Sequence, residues 1–156
     1  MVDIKKIALI TGATSGIGES TAYELAKKYS LILCGRNKEK LNQLEENLSS
    51  VTKVITLKFD VRNHKEVSEK ILSLDNSWNN IDLLINNAGN AHGLDFIHEG
   101  DIKDWDMMID TNVKGLLYVT KYVLESMIKN NSGHIINCLL FTSDAADDSR
   151  SVGIGG

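Results

Sequence analysis

The 156-residue sequence contains no proline, where ordinary usage of about 5% would supply roughly eight. It has two cysteines, Cys34 and Cys138. They lie far apart and without metal-ligand spacing, so they read as two reduced thiols of a cytosolic protein. No apolar run approaches the ~20 residues of a membrane span. The opening MVDIKKIALITG turns polar too early for a signal peptide. A cytoplasmic location with no membrane partner is therefore expected. Basic residues are not in excess: Lys and Arg number 17 against 21 Asp and Glu, a net charge of −4. That sign and size argue against nucleic-acid binding, and the charges are interspersed. The four histidines, His64, His92, His98 and His134, show no ligand spacing, so no metal site is expected. No internal repeat or low-complexity segment is present.

What remains is an ordinary globular composition, 42% apolar and 24% charged, long enough for one domain with a real core. Lysine and asparagine are abundant, 14 of each, and all lie at or before Asn137. The last 19 residues hold none, a composition break on entering CLLFTSDAADD.

Short apolar runs alternate with amphipathic segments. KIALIT (6–11), LILC (31–34), KVITLKFD (53–60), IDLLIN (81–86) and GHIIN (133–137) read as strands. Apolar residues at helical spacing predict helices over 16–29, 38–48, 64–78, about 101–110 and 112–129. Near-continuous apolar strands separated by helices predict a parallel sheet covered on both faces. Right-handed crossovers then give a doubly wound, Rossmann-like α/β fold. The helix from Val113 is apolar nearly all round, with Leu116, Leu117, Val119, Val123, Leu124, Met127 and Ile128. One side is expected on the sheet and the other against a partner subunit, making a homo-oligomer.

TGATSGIG, from Thr11 to Gly18, follows the first strand and opens the first helix, where a phosphate-binding turn belongs. Gly12 permits the tight turn, Gly16 lets the backbone approach a pyrophosphate, and Gly18 lets helix pack on strand. Thr11, Ser15 and Ile17 complete the turn. The free N–H groups of the helix start face the anion. No Lys-Ser/Thr pair follows, which excludes the NTPase loop.

The T-G-x-x-x-G-x-G spacing resembles the short-chain dehydrogenase/reductase family. Asp60-Val61 ending the third strand, NNAG (Asn86–Gly89) ending the fourth, TNVKG (Thr111–Gly115) opening the long helix and GHIIN support the resemblance in order, over about 1–137. The stretch DWDMMIDTNVKGLLYVT looks most like the branch acting on 3-hydroxy acids, serine and allo-threonine. The resemblance implies a small-molecule substrate and hydride transfer to or from a nicotinamide. It implies that Asp60 and Val61 border the adenine, and that Asn87, Ala88 and Gly89 line the nicotinamide-side ribose. Asn86 would brace the strands, and Asn112 would be the active-site asparagine that holds a water in a proton relay. Cofactor choice has a physical basis as well. An NAD site carries a carboxylate after the second strand, whereas LILCGRNKEK offers Arg36, which suits a 2′-phosphate. NADP is therefore expected ahead of NAD.

The family's catalytic serine would stand at position 140, which is Leu140, and Ser143 lies beyond the strand end. No tyrosine occurs after Tyr122 and no lysine after Lys129, so the Tyr-x-x-x-Lys pair is missing. General acid–base groups contribute about 10²–10⁴-fold each, so the chain as it stands is expected to be inactive. Residues 138–156 resemble a translated sequencing-library adapter, with Phe141 in place of a tyrosine. The domain is then expected over 1–137, truncated after the fifth strand, with a non-native tail. The rival reading is a catalytically dead nucleotide-binding module with a divergent C-terminus.

Overall fold

The computed structural model describes residues 6–91 and 95–138. Five parallel strands, β1 (Ile7–Thr11), β2 (Ser30–Gly35), β3 (Val54–Lys58), β4 (Leu83–Asn86) and β5 (His134–Asn137), form one sheet in the order β3-β2-β1-β4-β5. Each neighbour pair is parallel and in simple register, from Thr11 opposite Cys34 to Asn86 opposite Asn137. The doubly wound α/β arrangement predicted from the alternation of runs is the observed one.

Alternation along the strands divides the core into two layers. Ala8, Ile10, Leu31 and Leu33 face α1 (Gly16–Leu25) and α2 (Lys38–Leu48), meeting Ala22, Leu41, Leu44 and Leu48. Ile7, Leu9, Ile32 and Leu84 face the other way, onto α3 (His64–Leu72) and α5 (Leu116–Lys129), meeting Val67, Ile71, Val119, Val123 and Met127. Each fully buried aliphatic side chain contributes about 1.5–3 kcal/mol, so both layers are needed to hold the sheet flat-sided between helices.

Three helix boundaries differ from expectation. The first helix ends at Leu25 instead of running to residue 29, because the Lys28 and Tyr29 N–H groups both fold back onto the Leu25 carbonyl. The third helix ends at Leu72 instead of reaching Trp78. Asp75 intervenes: its carboxylate accepts from the N–H and hydroxyl of Ser77, and its carbonyl accepts from Trp78 and Asn79 N–H. That local turn competes with the helix, while Leu74 and Trp78 still pack on the core. The two helices expected over 101–110 and 112–129 are one continuous rod. Helix α4 (Ile102–Ile109) passes through a single π-helical stretch, Asp110–Gly115, into α5 without leaving the right-handed helical region. No cap interrupts it at Thr111 or Asn112. A π-stretch inserts one extra residue per turn, and such stretches concentrate at functional sites.

One face of the long rod lies on the sheet, as expected. Val119, Val123 and Met127 are buried on the sheet, whereas Val113, Leu117, Leu124 and Ile128 are exposed, Ile128 by 70%.

Candidate cofactor-binding site

The carboxyl ends of β1 to β4 open into a cleft of about 990 Å³. Its position follows from the strand order. The chain leaves β1 towards β2 and β3, then returns to the opposite side for β4, so the crossovers diverge and leave a crevice at the sheet's carboxyl edge.

The turn after β1 forms the floor. Gly12 adopts φ +63°, and a Cβ there would lie 2.9 Å from the Ala88 Cα. Gly18 abuts the Gly12 carbonyl and the Asn87 amide so closely that no side chain fits. The backbone also turns left-handed at Gly16, φ +54°, with open space around it. Thr11 lies beneath the cleft and does not line it. Its hydroxyl donates to the Ile85 carbonyl and accepts from the N–H groups of Asn87 and Ala88, joining the ends of β1 and β4.

Helix α1 opens from this turn without a side-chain cap. Ser15 stands at the cap position with extended backbone, and its hydroxyl makes no capping bond. The helices α2, α3 and α4 are each capped, by Asn37, Asn63 and Asp101. The first-turn N–H groups of α1 are thus left for whatever occupies the cleft, which Ser15 and Ile17 line. A phosphate-bearing group fits: the donors are unpaired, and Gly16 leaves room for its approach.

At the β2 and β3 end, Arg36, Asp60 and Val61 line the cleft. Arg36 is exposed and has no carboxylate in ion-pair contact among the described residues. Asp60 is held by Arg62. The guanidinium donates Nε to Oδ1 and Oδ2 at 3.0 and 3.1 Å and Nη2 to Oδ2 at 2.6 Å, and the Arg62 N–H donates to Oδ1 at 3.0 Å. These bonds to Arg62 hold the Asp60 carboxyl below its ordinary value, against a smaller opposing effect of burial.

At the β4 end, Asn87, Ala88, Gly89 and Asn112 line the cleft. Asn86 is buried and braces the strands as expected, donating to the Thr120 hydroxyl and to Asn137 Oδ1. Asn87 also braces: its amide donates to the Thr11 and Gly12 carbonyls at 3.1 Å. Asn112 sits mid-stretch in the π-helical segment. Its Oδ1 accepts from the Asn90 N–H at 2.9 Å and its Nδ2 donates to the Asn90 carbonyl at 2.7 Å. The side chain expected to hold a water is engaged by the backbone that follows β4.

Of the sequence-predicted residues, the cleft brings together Gly12, Ser15, Ile17, Arg36, Asp60, Val61, Asn87, Ala88, Gly89 and Asn112, while Thr11, Gly16 and Gly18 shape it from below or beside. Thr14, Lys40, Asn90, Met108, Thr111 and Leu116 also line it. Lys40 carried a legible signal, a cation in the first turn of α2 four residues past Arg36. Met108 and Leu116 carried none, because only the continuous rod brings them to the opening. The His64 ring meets that of Tyr118 at a tilt of 57° and shares a 2.7 Å hydrogen bond with Tyr122 Oη, away from the cleft. His98 neighbours Glu99 and His134 opens β5; His92, Leu140, Ser143 and the rest of the tail past Cys138 lie outside the described residues. Among the described residues there is no cluster able to hold a metal ion, and no helix long and apolar enough to cross a membrane.

Comparison with known proteins agrees with this geometry. The sequence is 45% identical over 132 residues to an NADP-dependent 3-hydroxy acid dehydrogenase, YdfG, of Salmonella typhi, covering 84% of this chain and 52% of that protein. The fold superposes on the crystal structure of serine dehydrogenase from Escherichia coli with TM-score 0.78 and 42% identity, covering 84% of this chain and 60% of that one. It superposes equally, at 43% identity, on the closed form of serine dehydrogenase complexed with NADP+, covering 84% and 52%. The chain spans about half the length of the curated relatives it matches. The short chain dehydrogenase family profile matches residues 6–151. With the turn, the strand order and the cleft all in agreement, the chain belongs to the short chain dehydrogenase family of oxidoreductases.

Proposed function

We propose that the cleft binds NADP and that the protein to which this chain corresponds is an NADP-dependent oxidoreductase. Its substrate would be a small hydroxy or carbonyl compound, of the 3-hydroxy acid or hydroxy amino acid class. The bound nicotinamide supplies or takes a hydride. The observation that carries the reading is the pairing of two unengaged cationic features in one cleft: the uncapped start of α1 and the Arg36 guanidinium. The α1 N–H groups hold the pyrophosphate, and Arg36, with Lys40 beside it, holds a 2′-phosphate through charge-assisted bonds. The NADP dependence printed for the 3-hydroxy acid dehydrogenase and the NADP+ complex of serine dehydrogenase support the choice. Thr11 and Asn87 keep the β1 and β4 ends at the spacing the dinucleotide spans. Fluorescence titration with NADPH and NADH tests this. The wild-type chain prefers NADPH, and Arg36→Asp loses that preference; an unchanged preference refutes the assignment.

A second reading, a nucleotide-binding module without turnover, applies to the 156-residue polypeptide itself. The observation favouring it is the lack of any tyrosine past Tyr122 and any lysine past Lys129. An activity screen with hydroxy acids on the NADPH-loaded chain decides, and turnover overturns it. A cytoplasmic setting suits the two unpaired thiols, Cys34 and Cys138.

The exposed stripe of Val113, Leu117, Leu124 and Ile128 on the long rod is proposed to face a second copy of the chain. A row of that kind exposed at helical spacing is what an interface requires.

A further inference from the structure

We infer that Glu19, outside the cleft, is a positioning residue that limits the preference for NADPH over NADH by drawing the Lys40 ammonium away from the 2′-phosphate. The inference rests on the dinucleotide reading above and deepens it. A second, smaller recess of about 180 Å³ lies between α1 and α2. Thr14 and Lys40 line both the recess and the cleft, so the two spaces adjoin across those side chains. Glu19 lines the recess and not the cleft. Among the described residues lining the recess, Glu19 is the one acid and Lys40 the one base.

The backbones that carry this pair are fixed. Glu19 stands half-buried in the first turn of α1, and Lys40 stands exposed in the first turn of α2. The Lys40 N–H donates to the capping Asn37 Oδ1 at 3.0 Å. Leu44, which also lines the recess, is buried in the same core layer as Ala22 of α1. Asn47, a further lining residue, donates its amide to Tyr23 Oη at 3.2 Å and ties α2 to α1. On the cleft side, Thr14 packs so closely on Gly35 that a Cβ there would lie 3.0 Å from Thr14 Cγ2. What remains free to move is the Lys40 side chain. Among the described residues, neither Glu19 nor Lys40 makes an ion pair.

Charge decides where that side chain goes. An ammonium at a helix start meets the partial positive end of the helix dipole, and Lys40 also shares the cleft with the Arg36 guanidinium. Both push it towards an anion. Two anions are within its compass, a 2′-phosphate in the cleft and the Glu19 carboxylate in the recess. Lysine is a point charge on a flexible stem, so it serves either and not both in full. NADH brings no 2′-phosphate, and Lys40 then turns to Glu19. NADPH must draw Lys40 from Glu19, whose carboxylate stays behind as a like charge near the phosphate. Both effects lower what the 2′-phosphate contributes. Any action of Glu19 on the pyrophosphate is common to the two dinucleotides and cancels in their ratio.

The experiment is fluorescence titration of the full 156-residue chain with NADPH and with NADH. Glu19→Gln keeps the shape and removes the charge, and is expected to raise the NADPH-over-NADH affinity ratio about threefold, the scale of an exposed ion pair. Glu19→Ala is expected to do the same, and serves if Glu19→Gln does not fold. Glu19→Asp, which keeps the charge, is expected to stay closer to the wild-type ratio than either. Placed in a Lys40→Gln chain, Glu19→Gln is expected to leave the ratio where Lys40→Gln alone puts it. A purely structural role for Glu19 would weaken both dinucleotides together and could not raise the ratio. An unchanged or lowered ratio in a folded, binding variant without the carboxylate overturns the inference. A rise that persists without Lys40 overturns the route through Lys40. Failure of wild type to bind either dinucleotide instead overturns the dinucleotide reading itself, and the inference with it.

Discussion

The Asn112 side chain holds the Asn90 backbone by both of its hydrogen-bonding groups, accepting at 2.9 Å and donating at 2.7 Å. A carboxamide is the side chain suited to this, because it presents a donor and an acceptor side by side, matching a peptide N–H and C=O. The contact fastens the segment after β4 to the π-helical stretch, 22 residues away in sequence. It sets one wall of the cleft against another.

Asn112→Ala is expected to cost about 1 kcal/mol, the net worth of modest hydrogen bonds at an exposed site. Amide exchange at Asn90 would accelerate, since its N–H then faces water alone. Asn112→Asp retains the acceptor but points a carboxylate at the Asn90 carbonyl, so it should fare no better than alanine. A slow-exchanging Asn90 N–H in either variant would contradict the clamp.

The turn glycines separate by mechanism. Gly16→Ala introduces a side chain into open space at φ +54°, so its stability cost is left-handed strain of about 1–2 kcal/mol. Gly18→Ala drives a methyl into the Gly12 carbonyl and the Asn87 amide. The backbone carbonyl cannot yield without parting the β1 turn from α1, and the Asn87 amide cannot without losing its bonds to Thr11 and Gly12, so the cost should exceed the usual overpacking range of about 1–3 kcal/mol. Thermal melts check the order: Gly18→Ala should lie well below Gly16→Ala. Both should weaken NADPH binding.

Acid stability should depend on Asp60. Arg62 depresses its folded pKa below the ordinary aspartate value of 3.8. The pair therefore contributes fully at pH above 3.8 and is lost as pH falls through the lower folded value. Denaturant midpoints measured from pH 6 down to pH 2 should show a shallower fall for Arg62→Met than for wild type in the lowest part of that range. Lys114 behaves with the opposite sign. Its bond to Asp110 raises its pKa above 10.5, so that contribution holds below that value and disappears as pH rises beyond it.

The apolar stripe on the long rod predicts association. Leu117 is 57% exposed, so Leu117→Glu should leave the fold of one chain intact and convert an oligomer into a monomer in sedimentation velocity. Wild type that sediments as a monomer at micromolar concentration would overturn the proposed interface.

The architecture was legible in the sequence because its signals are local and repeated. Five apolar runs flanked by amphipathic stretches leave a parallel sheet as the arrangement that covers both faces, and the glycine turn marks which strand comes first. Boundaries were less legible where side chains compete with the backbone. Asp75 ends α3 through its own turn, and no periodicity reports that contest. The junction at Thr111 and Asn112 misled for a related reason. Polar residues there imitate a helix start, but they are spent on bonds to Met107 and Asn90 while the rod continues.

Residue type along the chain determined the doubly wound sheet, the glycine turn after β1 and the cationic end at Arg36. These depend on the local conformational freedom of glycine, on strand periodicity and on charge, all of which are properties of neighbours in sequence. Tertiary packing alone decided which side chains are free. Thr11, Asn87 and Asn112 resemble ligand-binding groups until their partners at Ile85, Gly12 and Asn90 come into view. Ser15, an ordinary cap residue by type, is the one of the four helix-cap side chains at Ser15, Asn37, Asn63 and Asp101 that makes no cap. A hydrogen bond across 22 to 77 positions leaves no mark on local pattern, so whether a polar group serves the fold or the ligand is settled only once the chain has closed on itself.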